Sequence, residues 1–408
     1  MLIAFTVDNF LSFACRQTLS MIPSIEAGNG LGHRVKLAGF DVLKTAVLYG
    51  ANASGKSNFI KAIAAGRDFI VDGLNDAYRG HYSKTGSVNR DRPTLFEYTF
   101  YNDGRVFTYG FEVWLSRTKL SGEWLYEIDP RADREKLLFE RDAENERIDF
   151  GEGILRPENF HQEGFTLSLP GLKETGLFRP AFFWFKEKLK INHRERARVL
   201  STRFPEDKEK FFSVFEKFDT GIVDIEERKI AKDDLPFEVS LTDNKHSARS
   251  PAGLFTVDPE NDAYYEMLFR HRNSDFLFSY GEESDGTRRL FDFADLIANP
   301  VDHGAYIFDE IDRGIHPLLG RKLVEMFNSR LAGFPCQLIF STHNAGLLSD
   351  DLFRRDEVWF VEKGEDNVSR LFSLDIFKER YRDPQEAYLR GAFGAVPMLE
   401  KNGDENGD

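Results

Sequence analysis

The chain has 408 residues, 41% of them hydrophobic and 30% charged, which is enough for two or three structural units and reads as soluble and globular. Its net charge of −14 excludes a uniformly basic nucleic-acid binder, because such binding rests on phosphate neutralisation, but leaves room for a local basic track. No apolar run reaches the roughly 18 residues of a membrane span, the start MLIAFTVDNF has neither a basic n-region nor a small-residue cleavage site, and Cys15 and Cys336 lack metal-ligand spacing, so a reduced cytoplasmic setting without a membrane partner is expected.

In chain order, residues 2–7 read as a strand, the segment Asn9-Phe10-Leu11-Ser12-Phe13 as a turn, and 17–22 as a second strand. Residues 43–49 form a buried strand, and a helix follows from about Lys56 to Ile70 with Phe59, Ile63 and Ile70 on one face. The polar stretch 75–93 reads as a loop. A hairpin comes next, 95–101 and 106–115 around Asn102-Asp103-Gly104, with Phe107, Tyr109, Phe111, Val113 and Leu115 alternating on one face. Further short strands are expected at 120–128, 136–140 and 147–150.

The periodicity then changes. Segments 173–200 and 205–218 look helical, the second with Phe211, Phe212, Phe215 and Phe218 on one stripe. RERAR at 194–198, preceded by Lys186, Lys188 and Lys190, is either a basic track or a solvated helix face. Residues 221–257 return to short strands. From 276 the pattern is α/β: strands at 276–280, 305–309, 336–341 and 357–362, with helices at 287–298 and 318–331, which implies a largely parallel sheet covered on both faces. The acidic tail NGDENGD reads as frayed.

Four motifs carry chemistry. VLYGANASGKSNF (47–59) fits G-x-x-x-x-G-K-[ST], a phosphate-binding loop between strand and helix. Gly50 and Gly55 permit the tight path, and the N–H groups of Ala51, Asn52, Ala53, Ser54 and Asn58 with the helix start can face phosphate oxygens. Lys56 supplies a point charge, and Ser57 a hydroxyl for Mg2+. The strand AYIF ends in Asp309 and Glu310, suited to holding a Mg2+ shell and polarising water. The strand CQLIFS ends in Thr342, His343 and Asn344, where a γ-phosphate sensor could reach in. In GEESDGTRRL, Ser284, Gly286 and Thr287 open a helix, as an anion site or as an ordinary cap.

This order of motifs resembles the ABC-type ATPase heads of SMC, coiled-coil recombination-repair and OLD proteins. It is most similar to the bacterial group called AAA ATPase domain, family fifteen, of RloA and abortive-infection type. VDNFLSF, DEIDRGIHPLL and YLRGAFGAVP (388–397) resemble that group's opening, acid-strand and closing segments. The resemblance covers roughly 1–115 and 275–397 and implies an α/β fold: an ABC-type P-loop head with a mixed or parallel sheet and an antiparallel β subdomain, into which the middle, read above as mainly helical, is inserted. The expected organisation is an N-terminal lobe (1–155), a middle region (156–270) and a C-terminal lobe (271–408). It further implies ATP and Mg2+ as cofactors, with Gly50, Gly55, Lys56 and Ser57 binding both, Asp309 as the metal acid, Glu310 as catalytic base and His343 as switch histidine. Ser284, Gly286 and Thr287 would form the signature that binds a partner's ATP, so that two copies are needed. No glutamine lies between Gln17 and Gln162, which leaves the family's glutamine loop unassigned.

The expected function is a homodimeric or larger ATPase switch in anti-phage defence or DNA metabolism, working with a separate effector of nuclease type, with DNA open as a further partner. The alternative is a nucleotide-gated scaffold that holds a toxin or nuclease with little turnover. The size of the middle insertion and the form of the signature argue against a transporter subunit. No carboxylate cluster beyond Asp309 and Glu310 suggests that the chain is itself a nuclease.

Overall fold

A computed structural model of the chain describes residues 1–25, 32–37, 39–154, 164–192, 208–235, 247–250, 253–258 and 262–396. RERAR, the acidic tail and the last residue of YLRGAFGAVP lie outside them. The chain divides into two compact units: residues 2–186 with 339–408, and Met1 with 187–338. The first carries the phosphate-loop motif, the second the acidic strand end.

In the phosphate-loop unit, seven strands make one antiparallel sheet in the order Arg147–Phe150, Arg134–Asp142, Lys119–Asp129, Arg105–Trp114, Thr94–Asn102, Leu2–Asp8, Gln17–Ser20. The alternation read at Phe107, Tyr109, Phe111, Val113 and Leu115 holds, since all five are buried. That face carries the helix Lys56–Asp72. Phe59 meets Phe5 and Phe13 edge-on at 5.5 and 5.7 Å, Phe69 meets Phe96 at 6.1 Å, and the Tyr98 hydroxyl donates to the Ile63 carbonyl at 2.8 Å. Each fully buried aromatic contributes about 1.5–3 kcal/mol of transfer energy, so this layer sets where the helix lies. Gly73, at φ 86°, ends the helix with its N–H on the Phe69 carbonyl at 3.1 Å.

The strand Thr45–Tyr49 is buried at every position and pairs in parallel with Val358–Lys363, Leu48 opposite Trp359. Val358–Lys363 pairs in turn with Ser369–Ser373, antiparallel. The opening motif also finds its reason here. Asn9, fully buried, receives the Ser83 N–H on its side-chain oxygen and donates to the Asn89 and Arg92 carbonyls, which pins the polar stretch 75–93. That stretch holds two 3₁₀ turns, Asp76–Tyr78 and Ser87–Asp91.

In the acid-strand unit, Leu189–Asn192 pairs in parallel with Ala305–Phe308, in which every residue is buried. Ile222–Ile230, Ala263–His271, Gly253–Asp258 and Ser247–Ser250 form an antiparallel sheet, with Leu277–Ser279 added on Ala263–His271. Phe291, on the helix Asp285–Ala298, is the hub of the unit: Phe215, Phe269, Tyr280 and Phe211 lie 4.5, 4.8, 5.5 and 5.8 Å from it.

Two expectations change. Of the helix expected over 173–200, residues 193–200 lie outside the described residues; the rest is replaced by short helices, Pro170–Lys173 and Arg179–Phe183, a π turn at Trp184–Lys188 and the strand Leu189–Asn192. Trp184 stacks on Phe100 at 4.3 Å and Phe185 packs against Tyr98 at 5.0 Å, so burial of two consecutive aromatics overrides helical spacing. The described residues of the middle are mixed rather than mainly helical: the strands Leu189–Asn192, Ile222–Ile230, Ser247–Ser250, Gly253–Asp258 and Ala263–His271 stand beside short helical turns and the helix Lys208–Phe215. On that helix Phe211, Val214 and Phe215 are buried, whereas Phe212 is only half-buried. Among the described residues, no helix is long and apolar enough to cross a membrane.

Candidate functional site

The phosphate loop is shaped from outside as much as from within. Gly50 and Gly55 have φ of 155° and 119°, a region L side chains rarely adopt. A Cβ on Gly50 would collide with the Val361 carbonyl oxygen, and one on Gly55 with the hydroxyls of Ser369 and Ser12. The Ser369 hydroxyl donates to the Ser54 carbonyl, and its own N–H donates to the Ser12 carbonyl at 2.8 Å. The Asn58 amide donates to the Ser12 hydroxyl at 2.9 Å, so Asn58 is turned towards the opening motif. Behind the loop, Tyr388 from the closing motif lies 5.8 Å from Tyr49 and stacks on Phe360 at 5.4 Å, and burial pushes its hydroxyl pKa up. Ser369 is a part of the site that the sequence did not single out, whereas Ser12 and Tyr388 lie inside the segments VDNFLSF and YLRGAFGAVP, without a contact to the loop having been read for them.

The loop fits an anion. The helix that Gly55 starts has no side-chain cap and no acidic residue in its first turn. By contrast, Asp383 caps Pro384–Leu389 and His316 caps Pro317–Arg330. The Lys56 ammonium is buried and donates to the Gly50 and Ala51 carbonyls at 2.8 and 3.0 Å, folded over the loop. Ala51 is half-buried, Asn52 and Ala53 are exposed, and Ser54 is buried. Uncapped N–H groups, a helix N-terminus and one ammonium make a donor set for phosphate. Beside Asn58 and Ser12 opens a cleft of about 570 Å³, also lined by Tyr82, Lys84, Thr85 and Lys363.

His343 belongs to the same unit. The Thr342 N–H donates to the Leu48 carbonyl at 3.2 Å, so the strand that ends in His343 runs beside the strand that feeds the loop. His343 itself is exposed, and Asn344 caps the turn Ala345–Leu347 through the Gly346 N–H at 2.9 Å.

The other predicted residues are in the acid-strand unit. Ser284 caps the helix Asp285–Ala298, accepting the Thr287 N–H at 3.1 Å and lying 2.8 Å from the Thr287 hydroxyl. A Cβ on Gly286 would sit 2.6 Å from the Gly314 carbonyl oxygen, so this glycine is required where the helix meets the turn after Glu310. Asp309 is 4% exposed, and its N–H donates to the Asn192 carbonyl at 3.2 Å. Glu310 is half-buried with φ 50°, a left-handed backbone that costs a side-chain-bearing residue about 1–2 kcal/mol. The structure thus groups the phosphate loop with His343, and the signature segment with the acids. Among the described residues, no cluster of three or more His, Cys, Asp or Glu side chains could hold a metal.

Residues 46–349 match the family model described as "AAA domain, putative AbiEii toxin, Type IV TA system". The chain belongs to this family. The span matched by the AAA-domain model contains every predicted site residue, and the expectation of a nucleotide-binding ATPase domain holds at the level of the family. No curated protein matches the chain. Solved structures similar to this AAA-domain chain include an SMC head bound to the C-winged helix domain of ScpA, at 14% identity and TM-score 0.48, over 91% of this chain and 97% of that one. Another is the SMC head domain from Thermotoga maritima, at 13% identity and TM-score 0.39, over 91% and 98%.

Proposed function

We propose that the chain binds ATP at residues 50–58 and hydrolyses it, as the switch subunit of a defence or DNA-metabolism system whose effector is a separate protein of nuclease type. The observation that carries the reading is the uncapped helix start at Gly55, with no first-turn acid and with Lys56 folded over the loop. Ser57 and Asp309 offer hydroxyl and carboxylate oxygens, the hard ligands Mg2+ takes, and the bound ion would neutralise phosphate charge. Lys56 binds the terminal phosphates, Glu310 accepts the proton of the attacking water, and His343 donates to a γ-phosphate oxygen. The cleft beside Asn58 offers room for the nucleoside.

In this reading two copies pair, and the cap Ser284–Gly286–Thr287 of one completes the site on the other. ATP then adds interface contacts that ADP lacks, so nucleotide state shifts the paired population. The family's description, a putative toxin of a type IV toxin–antitoxin system, supports a role of the defence type.

Glu310→Gln tests the reading. Turnover should fall by about 10²–10⁴-fold, as for loss of a general base, while ATP binding persists and a nucleotide-bound pair accumulates. If turnover falls but biological activity is unchanged, hydrolysis is not the working step and the scaffold alternative stands instead.

A further inference from the structure

Arg289 lies five residues beyond the Ser284 cap, on the helix Asp285–Ala298, in none of the roles described so far. Its guanidinium is spread over the acidic turn. One terminal nitrogen donates to the Asp309 carbonyl at 2.6 Å and to the Glu310 carbonyl at 3.0 Å. The other donates to the Asn192 side-chain oxygen at 2.8 Å. The group also lies 5.5 Å from the centre of the Phe308 ring. Asn192 is buried and accepts the Asp309 N–H on its backbone, so Asn192 and Arg289 grip the same two-residue turn from strand and helix.

The turn needs that grip. Glu310 has a left-handed backbone without being glycine, a conformation that surrounding contacts must hold. Its carbonyl accepts a second bond, from the Arg313 N–H at 3.1 Å, which starts the reversal leading to Gly314. Gly314 in turn abuts Gly286 at the head of the Arg289 helix. Helix and turn are thus joined at two places, by guanidinium donation at one and by close backbone packing at the other. A displacement of the helix head moves both.

We propose that Arg289 is a positioning residue that ties the Ser284-capped helix to the backbone of Asp309 and Glu310 and so sets the direction of the Glu310 carboxylate. A fork with several coplanar donors suits two adjacent carbonyls and an amide oxygen; a lysine ammonium on a flexible stem does not. The inference rests on Glu310 being the general base. It adds that whatever seats on the helix head is felt at Glu310 through the guanidinium.

The test uses the full chain with Arg289→Lys and Arg289→Ala, reading amide exchange across 309–313, mant-ADP affinity, and kcat and KM for ATP. Exchange in the turn should rise about tenfold in Arg289→Lys while the helix Lys56–Asp72 keeps its protection. Mant-ADP affinity and KM should stay within twofold, and kcat should fall by about 10–100-fold, the scale of a misplaced catalytic group. Arg289→Ala should be worse in kcat, and Asn192→Ala should show the same pattern more weakly. Unchanged exchange in 309–313 in folded Arg289→Lys overturns the proposal, as does a kcat within twofold of the unmodified chain. If exchange rises but Glu310→Gln hydrolyses ATP normally, the positioning stands and the assignment of Glu310 as base fails.

Discussion

The carbonyl oxygen of Val361 stands where a side chain on Gly50 would have to go. The two meet because Val358–Lys363 runs parallel to Thr45–Tyr49 with Phe360 opposite Tyr49, so that the next residues, Val361 and Gly50, come side by side. The first glycine of the motif is therefore required by the neighbouring strand, independently of any ligand. Gly50→Ala should destabilise the protein by about 1–3 kcal/mol, from overpacking and unfavourable φ together. Nucleotide affinity should fall with it, since relief comes from displacing the loop. Thermal unfolding and a mant-ATP titration check this; a variant with unchanged melting temperature and affinity would refute it.

Lys56 is expected to behave differently from Gly50. In the free loop its ammonium satisfies two carbonyls, so Lys56→Ala should cost about 1.5–3 kcal/mol of stability, the value of a hydrogen bond from a charged group. Affinity for ATP should drop by about 10–100-fold, the worth of one charge-assisted contact to phosphate. A stable, folded Lys56→Ala that binds ATP as tightly as the unmodified chain would remove the lysine from the site.

How much of this was legible in advance depended on what each segment's reasons were. The loop strand, its helix and the acid strand could be read because continuous apolar runs and spacing express burial directly, as the fully buried Thr45–Tyr49 and Ala305–Phe308 show. The hairpin followed from alternation around Asn102-Asp103-Gly104. Residues 173–192 misled, because the segment 173–200 reads as helical, whereas Trp184 packs on Phe100, a residue of a distant strand, and that contact leaves no local trace. The contacts of Ser369 and Ser12 with the loop were invisible for the same reason: a hydroxyl crowding Gly55 is a long-range fact. Arg289 was visible as part of the signature segment, but that its donors reach Asp309 and Glu310 was not.

Within the antiparallel sheet, Glu123 is fully buried and should prove a point of structural weakness. One of its oxygens accepts the Tyr109 hydroxyl at 2.7 Å and the Leu167 N–H at 3.1 Å, the other accepts the Thr166 N–H at 2.7 Å, and Arg141 is 3.9 Å away. Glu123→Ala leaves these donors and a buried guanidinium without the carboxylate, at a cost of about 3–5 kcal/mol. Glu123→Gln should also destabilise, because its amide turns a donor towards groups that already donate. Denaturant unfolding measures both; equal stability of Glu123→Gln and the unmodified chain would show that a neutral acceptor suffices.

The last prediction concerns pH. The Glu357 carboxylate, 2.8 Å from His33, holds the imidazole above its ordinary value of 6.5, and burial pushes Glu357 itself above 4.5. Arg354 and Asp356 face the same pair. The Arg354 guanidinium donates to Asp356 at 2.7 and 2.9 Å, the Arg354 N–H donates to Glu357 at 2.8 Å, and Asp356 accepts the Ser24 N–H. Both raised groups bind more protons when folded than when unfolded, so stability must fall as pH rises through the interval between unfolded and folded values. For His33 the contribution is complete below about pH 6.5 and is lost as pH climbs through the folded value; the Glu357 contribution has the same sign and begins to fall from about pH 4.5. The melting temperature should therefore decline as pH rises above 6.5, and His33→Gln, which keeps a donor but cannot titrate, should flatten that decline. An equal slope in His33→Gln would place the titrating group elsewhere, and a melting temperature that rises there would contradict the sign.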